Sequence, residues 1–150
     1  MEIEEAMRVA IEHAKIASVA SKDVPVGAVI LNANGDLIST GNNQRELQND
    51  PTAHAEIRVL RDAAVREGNY RLPGTTLYVS LEPCTMCCGA LIHARVETLI
   101  FGTREPRAGA VISAAQILDN PLLNHRVQWR EGLEETEAAA LLRAFFKARR

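Results

Sequence analysis

From Asp50 onward the 150-residue chain alternates helix-patterned with strand-patterned segments, and that alternation constrains its fold more than any other feature. Thr75 to Leu81 reads as a buried strand, Pro83 opens a helix that runs to about Ala94, and Thr98 to Phe101 is a strand again. A short helix near Ser113 to Leu118, a strand around Val127 to Trp129 and a closing helix from Glu134 to Arg149 are predicted to follow. The last of these stacks Leu141, Leu142, Phe145 and Phe146 on one side. Strands that alternate with helices imply a mixed sheet with helices packed on its faces.

The first third supplies the remaining elements. Ile3, Met7, Ala10, Ile11, Ala14 and Ala17 recur at helical spacing, so an amphipathic helix spans 3–20 until Asp23, Pro25 and Gly27 break it. Val26 to Leu31, the turn signal Asn34-Gly35, and Leu37 to Thr40 read as a β-hairpin. Asp50-Pro51-Thr52 offers a capping residue followed by proline at a first helical position, which predicts a helix through Ile57, Leu60 and Ala64 to a stop at Gly68. The predicted order is α-β-β-α-β-α-β-α-β-α, with five strands and no repeat, low-complexity tract or linker. We expect one α/β domain over residues 1–150.

Composition removes several classes. With 47% hydrophobic and 24% charged residues the chain is neither disordered nor collagen-like. Its longest stretches without Asp, Glu, Lys or Arg, Val24 to Gly35 and Pro83 to Ala94, fall short of the ~18 residues of a membrane-spanning helix. Charges throughout the first twenty residues leave no signal-peptide core, so a cytoplasmic protein is expected. A net charge of −2 means that any nucleic-acid partner is met by a local basic patch. Of the cations only Lys15, Lys22 and Lys147 are lysines. Guanidinium groups suit phosphates and bases, although an arginine-rich genome gives the same bias. Arg143, Lys147, Arg149 and Arg150 crowd the C-terminus, where a helix dipole also favours cations.

Two segments carry chemistry. Cys84 and Cys87 lie three apart at a helix start, on one face and near the positive end of the dipole that favours thiolates. With Cys88 they make three cysteines within five positions, which is no disulfide framework. His93 falls on the opposite face of that helix. His54 comes from another helix start, and two helices beginning at the same sheet edge would bring it to both thiolates. One imidazole and two thiolates suit zinc, and three protein ligands leave a fourth position open, as in catalytic sites. Glu56, two residues after His54, points elsewhere on the helix, where a carboxylate can exchange protons with a water. Taken alone, Cys-x-x-Cys also fits a thiol–disulfide pair, and His-x-Glu alone is a chance tripeptide; together, each at a helix start, they favour zinc. Cys88 and Met86 read as packing, His13 as surface, His93 as a hydrogen-bonded structural histidine and Trp129 as strand packing.

His-x-Glu followed by Pro-Cys-x-x-Cys resembles the signature of the zinc-dependent nucleobase deaminases. The resemblance narrows to the bacterial tRNA-specific adenosine deaminases, which act on the wobble adenosine, in Val24 to Val29, Asp50 to Ile57, Leu81 to Cys84 and Gly89 to Arg95. It continues in Phe101-Gly102, Gly109-Ala110, Asn124 to Val127 and Phe145-Phe146. It implies a three-layer α/β/α cytidine-deaminase-like fold with a central mixed five-stranded sheet, one zinc held by His54, Cys84 and Cys87, and Glu56 as proton shuttle. It further implies that Asn43 hydrogen-bonds the target base, that Arg104, Glu105, Arg107, Phe145 and Phe146 contact substrate, that the substrate is a tRNA anticodon stem-loop, and that the enzyme is a homodimer. Glu105 stands where the family usually has aspartate, and Asn42 where an aromatic residue is usual at the pocket rim. A deaminase of a free nucleobase or nucleoside would carry the same zinc centre, and a non-catalytic zinc module would need a fourth ligand and no Glu56.

Overall fold

The computed structural model describes residues 1–149. Five strands, β1 (Gly27–Leu31), β2 (Leu37–Asn42), β3 (Thr76–Leu81), β4 (Thr98–Thr103) and β5 (Gln128–Glu131), form one sheet in the order β2-β1-β3-β4-β5. β1 is antiparallel to both of its neighbours, whereas β3, β4 and β5 run parallel. As a result β2, β3, β4 and β5 all end at the same edge. The expected mixed five-stranded sheet is present. The hairpin turns where Asn34-Gly35 predicted, with Gly35 at φ +82° and the Asn32 side chain accepting the N–H groups of Asn34 and Asp36 at 2.9 Å.

Helices cover both faces. α1 (Ile3–Val19) lays Ala6, Met7, Ala10 and Ile11 on Val29, Leu31, Tyr78 and Ile100, with α5 (Glu135–Ala148) beside it. The other face packs Ala28, Ile30, Leu77, Val79, Leu99 and Phe101 under α3 (Ala55–Glu67) and α4 (Thr85–His93). The alternating side chains of β1, β3 and β4 thus feed two cores, which makes the arrangement the three-layer α/β/α fold.

Four expectations are corrected. α3 begins at Ala55, not at Pro51: Asp50 turns its carboxylate back onto the N–H and hydroxyl of Thr52, closing a tight turn, and His54 stays extended at φ −71°, ψ 153°. A short helix, α2 (Arg45–Gln48), went unforeseen; its first N–H groups, from Arg45 and Glu46, are taken by the Asp23 carboxylate from outside the helix. The helix expected near Ser113 to Leu118 is a series of turns, because the N–H groups of residues 111–113 go to Glu82 and those of Ala114 and Ala115 to the Gly109 carbonyl. On α5 the side turned to the sheet is Ala138, Leu141 and Phe145, while Phe146 is 49% exposed.

Candidate metal centre and substrate pocket

The shared sheet edge assembles the site. His54 occupies the N-cap position of α3, the helix that follows β2 and α2, Cys84 occupies that of α4 just beyond β3, and the loop after β4 begins at Arg104. His54 Nδ1 lies 3.7 Å from Cys84 Sγ and 3.6 Å from Cys87 Sγ, and all three ligand atoms fall within 4.8 Å of one another. A tetrahedral zinc with ordinary bond lengths sets its nitrogen and sulfur ligands about 3.6 Å apart, so the three residues fit the ion. The donor set, one imidazole and two thiolates, is equally suited to it.

Electrostatics agree with a ligand set. A hydrogen bond from Cys87 brings Cys84 down to about 4, with His54 assisting, and the same contact, with burial, pushes Cys87 upward. His54 is raised, chiefly by its hydrogen bond with Cys84. Zinc binding would require both thiols to be deprotonated and the imidazole to be neutral. Cys88, wholly buried in the core, is raised to about 12 by burial and is no ligand.

Glu56 is buried in the first turn of α3, and burial raises its carboxyl to about 7. It opens into a cavity of about 610 Å³ shared with His54, Cys84, Asn43, Arg107 and Phe146. Asn43 is buried; its Oδ1 accepts the Ala55 N–H at 2.9 Å and its amide donates to the Val24 carbonyl at 3.1 Å, leaving one amide hydrogen for the pocket.

The remaining predicted contacts divide. Arg107 and Arg143 line the cavity with no ion-pair partner among the described residues. Arg104 lines it too, but its guanidinium grips Glu131 at 2.8 and 3.0 Å. Glu105 turns its carboxylate onto the N–H groups of Arg107 and Ala108, bracing its own loop. Phe145 is buried; Phe146, edge-on to it at 5.3 Å, is the one at the cavity. Arg149 stacks 3.4 Å over the Phe145 ring and reaches the Lys22 carbonyl, and Arg150 lies outside the described residues.

Other expectations shift as well. Asn42 is buried beneath Arg58, which donates to its carbonyl at 3.0 Å, and does not reach the pocket rim. His93 is exposed; the hydrogen-bonded structural histidine is His125, whose Nε2 lies 2.7 Å from the Val96 carbonyl. Trp129 packs on Phe101 as expected, with ring centroids 6.2 Å apart. Sequence reasoning missed Asp23 and Glu82, two buried carboxylates that hold pocket walls. Asp23 binds the Arg45 guanidinium at 2.6 Å. Burial alone would lift its carboxyl, but Arg45 and the N–H groups of Val24 and Glu46 hold it below the usual range. Val24-Pro25 after an acidic residue was the available signal, and nothing local identified its partner.

Residues 1–103 match the family profile of the cytidine and deoxycytidylate deaminase zinc-binding region. A tRNA-specific adenosine deaminase of Haemophilus influenzae is 43% identical over 147 residues, 98% of this chain and 84% of the relative. One from Aquifex aeolicus is 45% identical over 141 residues, covering 94% of this chain and 91% of the relative. Among solved structures, one from work on A-to-I editing by tRNA:A34 deaminases at the wobble position superposes with a TM-score of 0.88 at 40% identity, covering 92% of this chain and 99% of that one. A guanine deaminase from Nitrosomonas europaea superposes with a TM-score of 0.82 at 26% identity, covering 96% and 84%. The two tRNA-specific adenosine deaminases are more than 40% identical over more than nine-tenths of this length, and the chain belongs to the cytidine and deoxycytidylate deaminase family, among its tRNA-specific adenosine deaminases.

Proposed function

We propose that this enzyme deaminates adenosine to inosine at the wobble position of tRNA anticodon loops. The observation that carries the reading is one cavity in which His54 and Cys84 of the metal-ligating cluster, together with Glu56, share walls with Arg107, Arg143 and Phe146. A free base needs neither cation, whereas a nucleotide splayed from an RNA loop brings phosphates for arginines and a face for an aromatic ring. An unpaired loop nucleotide also costs little to extrude.

Hydrolytic deamination exchanges the exocyclic amine at C6 for a water oxygen and releases ammonia. His54, Cys84 and Cys87 would hold a zinc ion, and its Lewis acidity would bring the pKa of a water in the site to about 7. Glu56 takes one proton from the attacking water and delivers it to the ring nitrogen. It then takes the second from the oxygen now bonded to C6 and delivers it to the departing amine, so that both water protons are accounted for and the amine leaves as ammonia. Its raised carboxyl, near 7, suits a group that must both accept and return protons close to neutral pH. Asn43 holds the base with its free amide hydrogen, and Arg107 and Phe146 hold the flanking nucleotides. The Arg104–Glu131 pair and the Glu105 turn shape the same wall. The reading extends to a cytoplasmic homodimer of one deaminase domain over residues 1–150, which equilibrium sedimentation tests. No helix among the described residues is long and apolar enough to cross a membrane.

The decisive experiment is an inosine assay on an anticodon stem-loop with adenosine at the wobble position, run beside free adenosine, cytosine and guanine, each with and without a zinc chelator. Inosine in the stem-loop alone, lost on chelation, is the expected result. Deamination of a free base with the stem-loop untouched would keep the zinc chemistry and overturn the tRNA substrate.

A further inference from the structure

Glu82 follows directly on β3, two residues before Cys84, and only 2% of its surface is exposed. Its carboxylate gathers donors from far along the chain. Oε2 accepts the consecutive backbone N–H groups of Val111, Ile112 and Ser113 at 3.1, 2.9 and 3.0 Å; Oε1 accepts the Glu105 N–H at 3.1 Å and the Ser113 hydroxyl. Three successive N–H groups turned onto one oxygen form the kind of concave nest that elsewhere binds a free anion. Here a side chain fills it. Five hydrogen bonds exhaust the lone pairs of a carboxylate, so Glu82 has nothing left to offer a metal or a base, and it stands outside the metal-ligating cluster.

What those bonds hold is the wall of the cavity. Residues 104–127 contain no helix or strand. Glu82 pins that segment at Glu105 and again at 111–113, and the chain between the two pins carries Arg107 into the cavity. Gly109 sits in the gap: a Cβ there would run into the Glu82 carboxyl carbon and the Glu105 carbonyl oxygen. The fit around the carboxylate therefore extends into the backbone.

We propose that Glu82 is a positioning residue for RNA binding, its buried carboxylate fixing the Glu105–Ser113 loop in its substrate-ready shape before the RNA arrives. The inference rests on the wobble-adenosine reading for its substrate. A loop that holds its competent shape only a fraction of the time binds more weakly by that fraction. The cost of losing the clamp therefore falls on affinity and not on the chemical step, which Glu56 and the zinc ligands perform.

The test compares the wild-type zinc enzyme with Glu82→Gln and Ser113→Ala. Glutamine keeps one acceptor oxygen for the 111–113 nest but turns an amide towards the Glu105 N–H, a donor facing a donor. Ser113→Ala removes a single hydroxyl bond and leaves the backbone donors in place, so it preserves the fold even if Glu82→Gln does not. Stem-loop Kd, single-turnover rate at saturating stem-loop, zinc content and amide exchange of residues 105–113 are measured for each. For Glu82→Gln we expect Kd weakened roughly tenfold, with Ser113→Ala in between. The saturating rate should stay within about threefold and zinc at one per chain, while the Glu105 and Val111–Ser113 amides exchange faster. An unchanged Kd in both variants, or a lost saturating rate with Kd intact, overturns the inference. A wild-type enzyme that neither binds nor deaminates the stem-loop overturns the wobble reading instead, and amide exchange then decides the clamp by itself: unchanged protection in Glu82→Gln defeats it.

Discussion

The side-chain oxygen of Asn43 accepts the backbone N–H of Ala55 at 2.9 Å, so the pocket residue expected to hold the base also caps the helix that starts at the metal ligand His54. His54 occupies the N-cap position of α3, and its ring, turned to the thiolates, leaves the first helical N–H without a local partner. Asn43 supplies that partner from the end of β2. Its two jobs separate by mutation. Asn43→Ala loses both the cap and the base contact, at a cost of about 1–2 kcal/mol in stability. Asn43→Asp retains an acceptor near the positive helix end and should melt above Asn43→Ala, yet it too lacks the free amide hydrogen. Both variants should deaminate the stem-loop poorly; wild-type turnover in Asn43→Ala would remove the residue from base recognition.

Glu56→Gln isolates the proton shuttle from the metal. The amide fills the same buried space in the first turn of α3, so fold and zinc content should survive. Turnover of the stem-loop should drop by about 10²–10⁴, the usual contribution of general acid–base transfer. Metal analysis and single-turnover inosine formation on the same preparation measure both quantities. Activity within a few-fold of wild type would assign the proton traffic to another group.

The zinc cluster and Glu56 were legible in the sequence because each pair, His54 with Glu56 and Cys84 with Cys87, is local, and the strand pattern brings the two helix starts to one edge. The walls of the pocket were not. Asp23 caps α2 from twenty-two residues away, Asn43 caps α3 across twelve, and Glu82 reaches thirty-one residues forward to Ser113. In each case a polar side chain satisfies backbone N–H groups that no neighbour in sequence serves, and local propensity carries no record of such a partner. The same mechanism explains the misjudged boundaries. Asp50-Pro51 looks like a helix start, but Asp50 closes a turn on Thr52, and the cap of α3 comes from Asn43, the residue after β2. Ser113 to Leu118 has a helical pattern, but the N–H groups entering it are spoken for by Glu82 and Gly109.

The C-terminal arginines should separate in function. Arg149 lies flat on Phe145, donates to the Phe145 and Lys22 carbonyls, and so ties the end of α5 to the segment that leads to Asp23. Arg149→Ala should lower the melting temperature and leave the salt dependence of stem-loop binding unchanged. Arg107→Ala and Arg143→Ala, which remove cavity cations without ion-pair partners among the described residues, should each flatten the plot of log K against log salt by roughly 0.7 while melting like wild type. Binding isotherms across a salt series distinguish the two classes, and a flattened slope in Arg149→Ala would return that residue to the RNA interface.

Asp23 gives the stability a specific acid dependence. The Arg45 guanidinium and the N–H groups of Val24 and Glu46 hold its carboxyl below the ordinary value of 3.8 in the folded protein, despite burial. As pH falls, the unfolded chain takes up this proton first, so the stabilisation is complete above the unfolded value and disappears as pH drops through the lower, folded one. Asp23→Asn abolishes that titration and weakens the grip on Arg45, which lines the cavity. The variant should therefore be less stable than wild type at pH 7, with the difference shrinking as pH drops through the ordinary carboxylate value of 3.8 and below it. Urea unfolding at a series of pH values measures it. A difference that stays constant or grows on acidification would mean that Asp23 is not ionised in the fold and that Arg45 is held by something else.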